Sequence, residues 1–70
     1  MNTVLLRCQL MIKGKSLSSL SNYLCISKSA LYRKLNGKSE FTRKEISKIK
    51  DYLNLPNEII IAIFFKKKVS

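Results

Sequence analysis

The chain has 70 residues, 14 of them basic and four acidic, giving a net charge of +10, and 46% of it is hydrophobic. That length allows one domain with a small core, and a chain with no histidine and four scattered carboxylates lacks the parts of most acid–base and metal sites. The charge is not a tail effect, because +7 remains without Lys66, Lys67 and Lys68. A small body so strongly cationic suits a polyanion, nucleic acid first among them.

Taken in order, Asn2 or Thr3 is placed to cap a first helix running to about Lys13, with Gly14 as its stop. Val4, Leu5, Leu6, Cys8, Leu10, Met11 and Ile12 cover more than one stripe of that helix, so one face meets the core. The surplus is packed under the last helix or exposed. Ser16 is an N-cap for a second helix in which Leu20 and Leu24 point inward. The chain turns at Cys25-Ile26-Ser27, Ile26 plugging the core and Ser27 capping a third helix. Within that helix Ala30, Leu31 and Leu35 are inner residues, while Lys28, Ser29, Tyr32 and Arg33 share the other side. Asn36-Gly37 ends it, both residue types tolerating the left-handed backbone of a helix stop.

After a short loop, Thr42-Arg43-Lys44-Glu45 has the form of a capping box, and Ile46, Ile49 and Leu53 make the inner stripe of a fourth helix. Asn54-Leu55-Pro56-Asn57 breaks the pattern. A fifth helix, from about Glu58 to Phe65, is apolar all round and therefore expected to be covered on every side. A chain this short has little with which to cover it, so part of Ile59, Ile61, Ala62 and Phe65 is expected to meet another chain. The expectation is one domain over residues 1–70, ordered from about residue 3 to 65, with a frayed basic tail at 66–70. Cys8 and Cys25 sit in apolar patterns and read as buried thiols of a reducing cytosol. Residues 3–12, interrupted by Arg7 and Gln9, and the seven residues Ile59–Phe65 are too short to span a bilayer, and no secretory signal is evident.

Two short helices joined by a tight turn form the unit that sets one helix in the major groove of DNA. The pattern LxxxLxISxxxLxRxLNGK, carried by Leu20, Leu24, Ile26, Ser27, Leu31, Arg33, Leu35, Asn36, Gly37 and Lys38, resembles the Cro/lambda-repressor-like helix-turn-helix domains. The short form with an isoleucine-rich last helix is similar to small regulators of temperate phages of low-GC Gram-positive hosts, Cro-like proteins or modulators of repression. The likeness covers roughly residues 4–65. It implies an all-α fold: a compact five-helix lambda-repressor-like DNA-binding domain with its helix-turn-helix at helices two and three.

On that resemblance, Lys28, Ser29 and Arg33 would meet base edges, which agrees with the fit of Lys and Arg to the N7/O6 pair of guanine. Lys13, Lys15, Ser18, Tyr32, Asn36, Lys38, Ser39 and Arg43 would hold the sugar-phosphate backbone. Two positions depart from the family: Leu17 stands where a glutamine usually opens the second helix, and Cys25 replaces the turn glycine, implying a strained conformation or a different turn. Lys34, Lys48 and Lys50 read as solvated or diffusely phosphate-attracting, and Tyr23, Phe41 and Tyr52 as core or core-edge aromatics.

The expected partners are a double-stranded DNA operator and a second protomer or a repressor protein. No membrane, small-molecule substrate, cofactor, metal or enzymatic activity is expected, and the location is the bacterial cytoplasm. Two functions compete: an operator-binding transcriptional regulator, and a modulator that acts by pairing with a repressor protein. The first would shift operator DNA alone; the second would act only in the mixture.

Overall fold

The computed structural model describes residues 1–65, which are all helical outside their turns. Helices α1 (Thr3–Ile12), α2 (Leu17–Leu24), α3 (Lys28–Leu35) and α4 (Arg43–Leu53) are followed by a short α5 (Asn57–Ile60), which widens into a π-helical turn at Ile61–Phe65. The expected basic tail, 66–70, lies outside the described residues.

The starts of α1 to α4 are each built by a side chain that supplies what the first turn lacks, whereas α5 opens at Pro56 with no side-chain cap. Asn2 accepts from the Leu5 amide at 3.0 Å. Ser16 and Ser19 cap each other reciprocally at 3.1 and 3.0 Å, and Ser27 accepts from the Ala30 amide at 3.1 Å. Thr42 and Glu45 complete the expected capping box at 3.1 and 2.8 Å. Such caps contribute roughly 1 kcal/mol each, which matters in helices of eight residues that could not persist alone.

The stops are just as uniform. Gly14, Cys25, Gly37 and Asn54 all have positive φ. The amide that follows each of them reaches back five residues, Lys15 to Leu10, Ile26 to Ser21, Lys38 to Arg33 and Leu55 to Lys50, at 2.8–3.0 Å. This is the Schellman geometry, which satisfies the orphan carbonyls of a helix end. At Asn36-Gly37 only Gly37 is left-handed; Asn36 keeps φ −86°.

The core is formed by Leu6, Leu10, Leu20, Leu24, Leu31, Leu35, Ile49, Leu53, Leu55, Ile60 and Ile63. Ser21 is buried among them, which its hydroxyl tolerates because it donates to the Ser18 carbonyl at 2.8 Å. The first and last described helical segments are drawn together: the Asn2 amide donates to the Ile63 carbonyl at 2.7 Å, and Thr3 Oγ1 donates to the Leu35 carbonyl at 3.1 Å. The start of α1 is thereby tied both to the end of α3 and to the last turn.

Two expectations are corrected. Cys8 and Cys25 are exposed thiols rather than buried ones. Leu6 and Leu10, four apart, take the inner face of α1, and Cys8 midway between them falls about half a turn away; Cys25 occupies the turn itself. The last helix is neither regular nor covered all round. Only Ile60 and Ile63 are buried there, Ile59, Ala62 and Phe64 are half-buried, and Ile61 and Phe65 remain 48% and 61% exposed.

Candidate nucleic-acid interface

The α2–α3 unit is a helix-turn-helix in its local chemistry. Leu20 and Leu24 of α2 and Leu31 and Leu35 of α3 are buried in the common core, with Ile26 packed at its edge from the turn. Those leucines leave α3 with one outer face, on which Lys28, Ser29, Tyr32 and Arg33 are exposed. Tyr32 is a large exposed aromatic, 45% accessible. The α3 N-terminus is capped by Ser27, so its remaining free amides and their partial positive charge add to Lys28.

Cys25 takes φ 59° and ψ 38°, the left-handed conformation a glycine would adopt without strain. The turn is therefore the expected one, held despite a Cβ where none is preferred. Leu17, in place of a polar residue at the start of α2, is half-buried against the core.

Apart from Tyr32 on α3, the residues expected to hold a sugar-phosphate backbone are distributed over three segments. Asn36, Gly37, Lys38 and Ser39 are exposed in the loop after α3, where the Lys38 and Ser39 amides both donate to the Arg33 carbonyl, at 2.9 and 3.4 Å. Arg43 is exposed in the first turn of α4. Around the start of α2, Lys13 and Lys15 are exposed and Ser18 is half-buried. Lys15 Nζ lies 5.0 Å from the Tyr52 ring centre, and that ring stacks on Tyr23 at 4.3 Å. Its ammonium is thus seated on an aromatic face rather than swinging freely. Tyr23 is the more exposed ring of the pair, 41% accessible.

Lys34 behaves differently from the other cations of α3. Its ammonium pairs with Glu45 at 3.0 Å, donates to the Glu40 carbonyl at 3.1 Å, and lies 5.7 Å from the Phe41 ring centre. It clasps the end of α3 to the start of α4 and is not a solvated lysine. Partial burial works to raise the Glu45 pKa, but the Thr42 amide hydrogen bond and the Lys34 charge outweigh it, and the carboxyl lies below its ordinary value. Lys50 likewise hydrogen-bonds Asn57, while Lys48 is exposed. The clasp escapes a reading of sequence because Lys34 and Glu45 meet only through the loop between their helices. The periodicity of α3, which places residue 34 three after Leu31 and so at the edge of the leucine stripe, hints at it.

Among the described residues no group of three or more His, Cys, Asp or Glu side chains could hold a metal ion, and no helix is long and apolar enough to cross a membrane. A family model described as the BetR domain matches residues 4–68. No curated protein and no solved structure matches the chain.

Proposed function

The chain belongs to the BetR domain family, small helix-turn-helix-like regulatory domains of phages and not a family of enzymes, and from that premise we propose that it is a sequence-specific transcriptional regulator of Cro/repressor type. Helix α3 would lie in the major groove of an operator, with Lys28, Ser29 and Arg33 against base edges. Lys13, Lys15, Ser18, Tyr32, Asn36, Lys38, Ser39 and Arg43 would grip phosphates and sugars on either side of it. The observation that carries this reading is the exposed outer face of α3, where Lys28, Ser29, Tyr32 and Arg33 all reach solvent while Lys34 is held elsewhere. As a dimer it would span half-sites about one helical turn apart, acting in the cytoplasm of the host.

A modulator that pairs with a repressor protein is the second reading. It is favoured by exposed Ile61 and Phe65, which with Ile59 and Ala62 offer an apolar surface to another chain, and by Leu17, which leaves α2 without a polar group at its first position. Gel shifts of operator fragments separate the two. Sequence-dependent shifts by the protein alone support the regulator; shifts that need an added repressor support the modulator and refute autonomous operator binding.

A further inference from the structure

Among the described residues, the most exposed apolar surface lies on α1 and not on the helix-turn-helix. Val4, Met11 and Ile12 are 72%, 79% and 71% exposed, and Cys8 is exposed between them. The spacing 4, 8, 11, 12 gathers these four on one side of the helix, opposite the face that Leu6 and Leu10 turn to the core. Leu5 borders the stripe, half-buried. Helix α1 carries no acidic residue, and its only charge is Arg7, which the spacing puts at the margin.

We propose that this face is where a second copy of the chain docks, its α1 antiparallel to the first about a two-fold axis through Cys8. The stripe is its own complement in that arrangement. Val4 comes level with Ile12 of the other copy, Leu5 with Met11, and the two Cys8 thiols meet at the axis. Each large apolar residue thus shares its layer with another, and the small Cys8 pair closes the centre, as a two-fold isologous contact allows. Charge selects the same occupant. Two bodies of +10 repel least where their facing surfaces are almost uncharged, whereas an acidic partner would find only Arg7 to engage here.

A contact of one ten-residue helix per copy falls at the low end of interface sizes, below roughly 1,200 Å² in total. The dimer is therefore concentration-dependent in free solution and is reinforced when both copies sit on one DNA. Ile61 and Phe65 remain available to a different chain. Nothing in this contact depends on DNA binding, and its test uses no DNA.

The test is sedimentation of the full chain over a concentration series, with Val4→Lys and Ile12→Glu variants whose helix content is verified by circular dichroism. Both positions are exposed, so the fold is expected to survive either change. The wild type self-associates, each variant alone associates about 100-fold more weakly or worse because a charge must enter an apolar contact, and an equal mixture of the two recovers dimer. Only an antiparallel register brings the introduced lysine of one copy level with the introduced glutamate of the other. As a second readout, the azo oxidant diamide takes two electrons and two protons from a pair of thiols. It links Cys25→Ser chains through Cys8, and leaves Cys8→Ser chains largely unlinked. A wild type that stays monomeric throughout, variants that dimerise like it, or a mixture that fails to associate would each overturn the proposal.

Discussion

Replacing Cys25 with glycine isolates the energetics of the helix-turn-helix turn. Cys25 holds φ 59° and ψ 38°, where the Cβ of an L-residue costs roughly 1–2 kcal/mol. Its exposed side chain forfeits little packing on removal. Against the relief stands the greater freedom of glycine in the unfolded chain, worth about 0.4–1 kcal/mol. The balance predicts that Cys25→Gly is the more stable protein by about 0.5–1 kcal/mol, or roughly 2–8 °C in Tm for a domain of this size. Cys25→Ala, which keeps the Cβ, should be close to neutral. The converse holds at Gly14 and Gly37, where an added Cβ meets nothing within 4 Å and φ is +69° and +81°. Alanine at either should therefore cost about 0.5–1 kcal/mol net, the left-handed strain less the same chain-entropy offset. Urea unfolding followed by circular dichroism measures all four. A Cys25→Gly protein no more stable than the wild type would refute the assignment of strain to this turn.

The remaining predictions address the clasp, the core and the interface. Because the Glu45 pKa lies below its ordinary value, its contribution to stability is present above the unfolded carboxylate range and is lost as pH falls through the folded pKa. Urea midpoints should therefore drop on acidification from about pH 5 downward, and Glu45→Gln should flatten that dependence; an unchanged profile would mean the pair does not couple to folding. Leu31→Ala, at a position with no exposed surface, should cost about 2–5 kcal/mol, and a loss under about 1 kcal/mol in denaturant titration would misplace the core. Arg33→Ala and Lys28→Ala should each weaken binding to the preferred DNA by about 1–3 kcal/mol and relax sequence choice, whereas Lys38→Ala should weaken all sequences alike and lower the salt slope by about one. If a dimer neutralises about six to ten phosphates, affinity should fall by roughly 10³–10⁵ between 50 and 200 mM salt; a flat response in fluorescence anisotropy would remove DNA as the ligand.

Local features of this fold can be read from the residues alone, and tertiary ones much less so. Ser16, Ser27 and the Thr42–Glu45 pair announce their helices because a cap is a contact across three residues. The leucines of α2 and α3 announce their inner faces because four-residue spacing leaves them no other. Helix α1 has apolar residues on both sides, so composition cannot say which half is core. Leu6 and Leu10 took the inside, and Cys8 was left outside. Ser21 is buried despite its hydroxyl because an acceptor lies three residues back in its own helix. Neither the Lys34–Glu45 clasp nor the widened turn at Ile61–Phe65 follows from local propensity, since both depend on what is packed against them. The outer face of α3 was legible in full, because it is what remains when the leucines are assigned to the core.

The central claim is that the outer face of α3, with the loop after it, meets duplex DNA. Amide chemical-shift mapping of isotopically labelled protein titrated with an operator half-site reads this residue by residue. The account predicts that the largest changes fall on residues 27–33, on 36–39 and on Arg43, with smaller ones at Lys13, Lys15 and Ser18 and the body of α1 little affected. Changes centred on α1 or on Ile61–Phe65, with α3 silent, would contradict it.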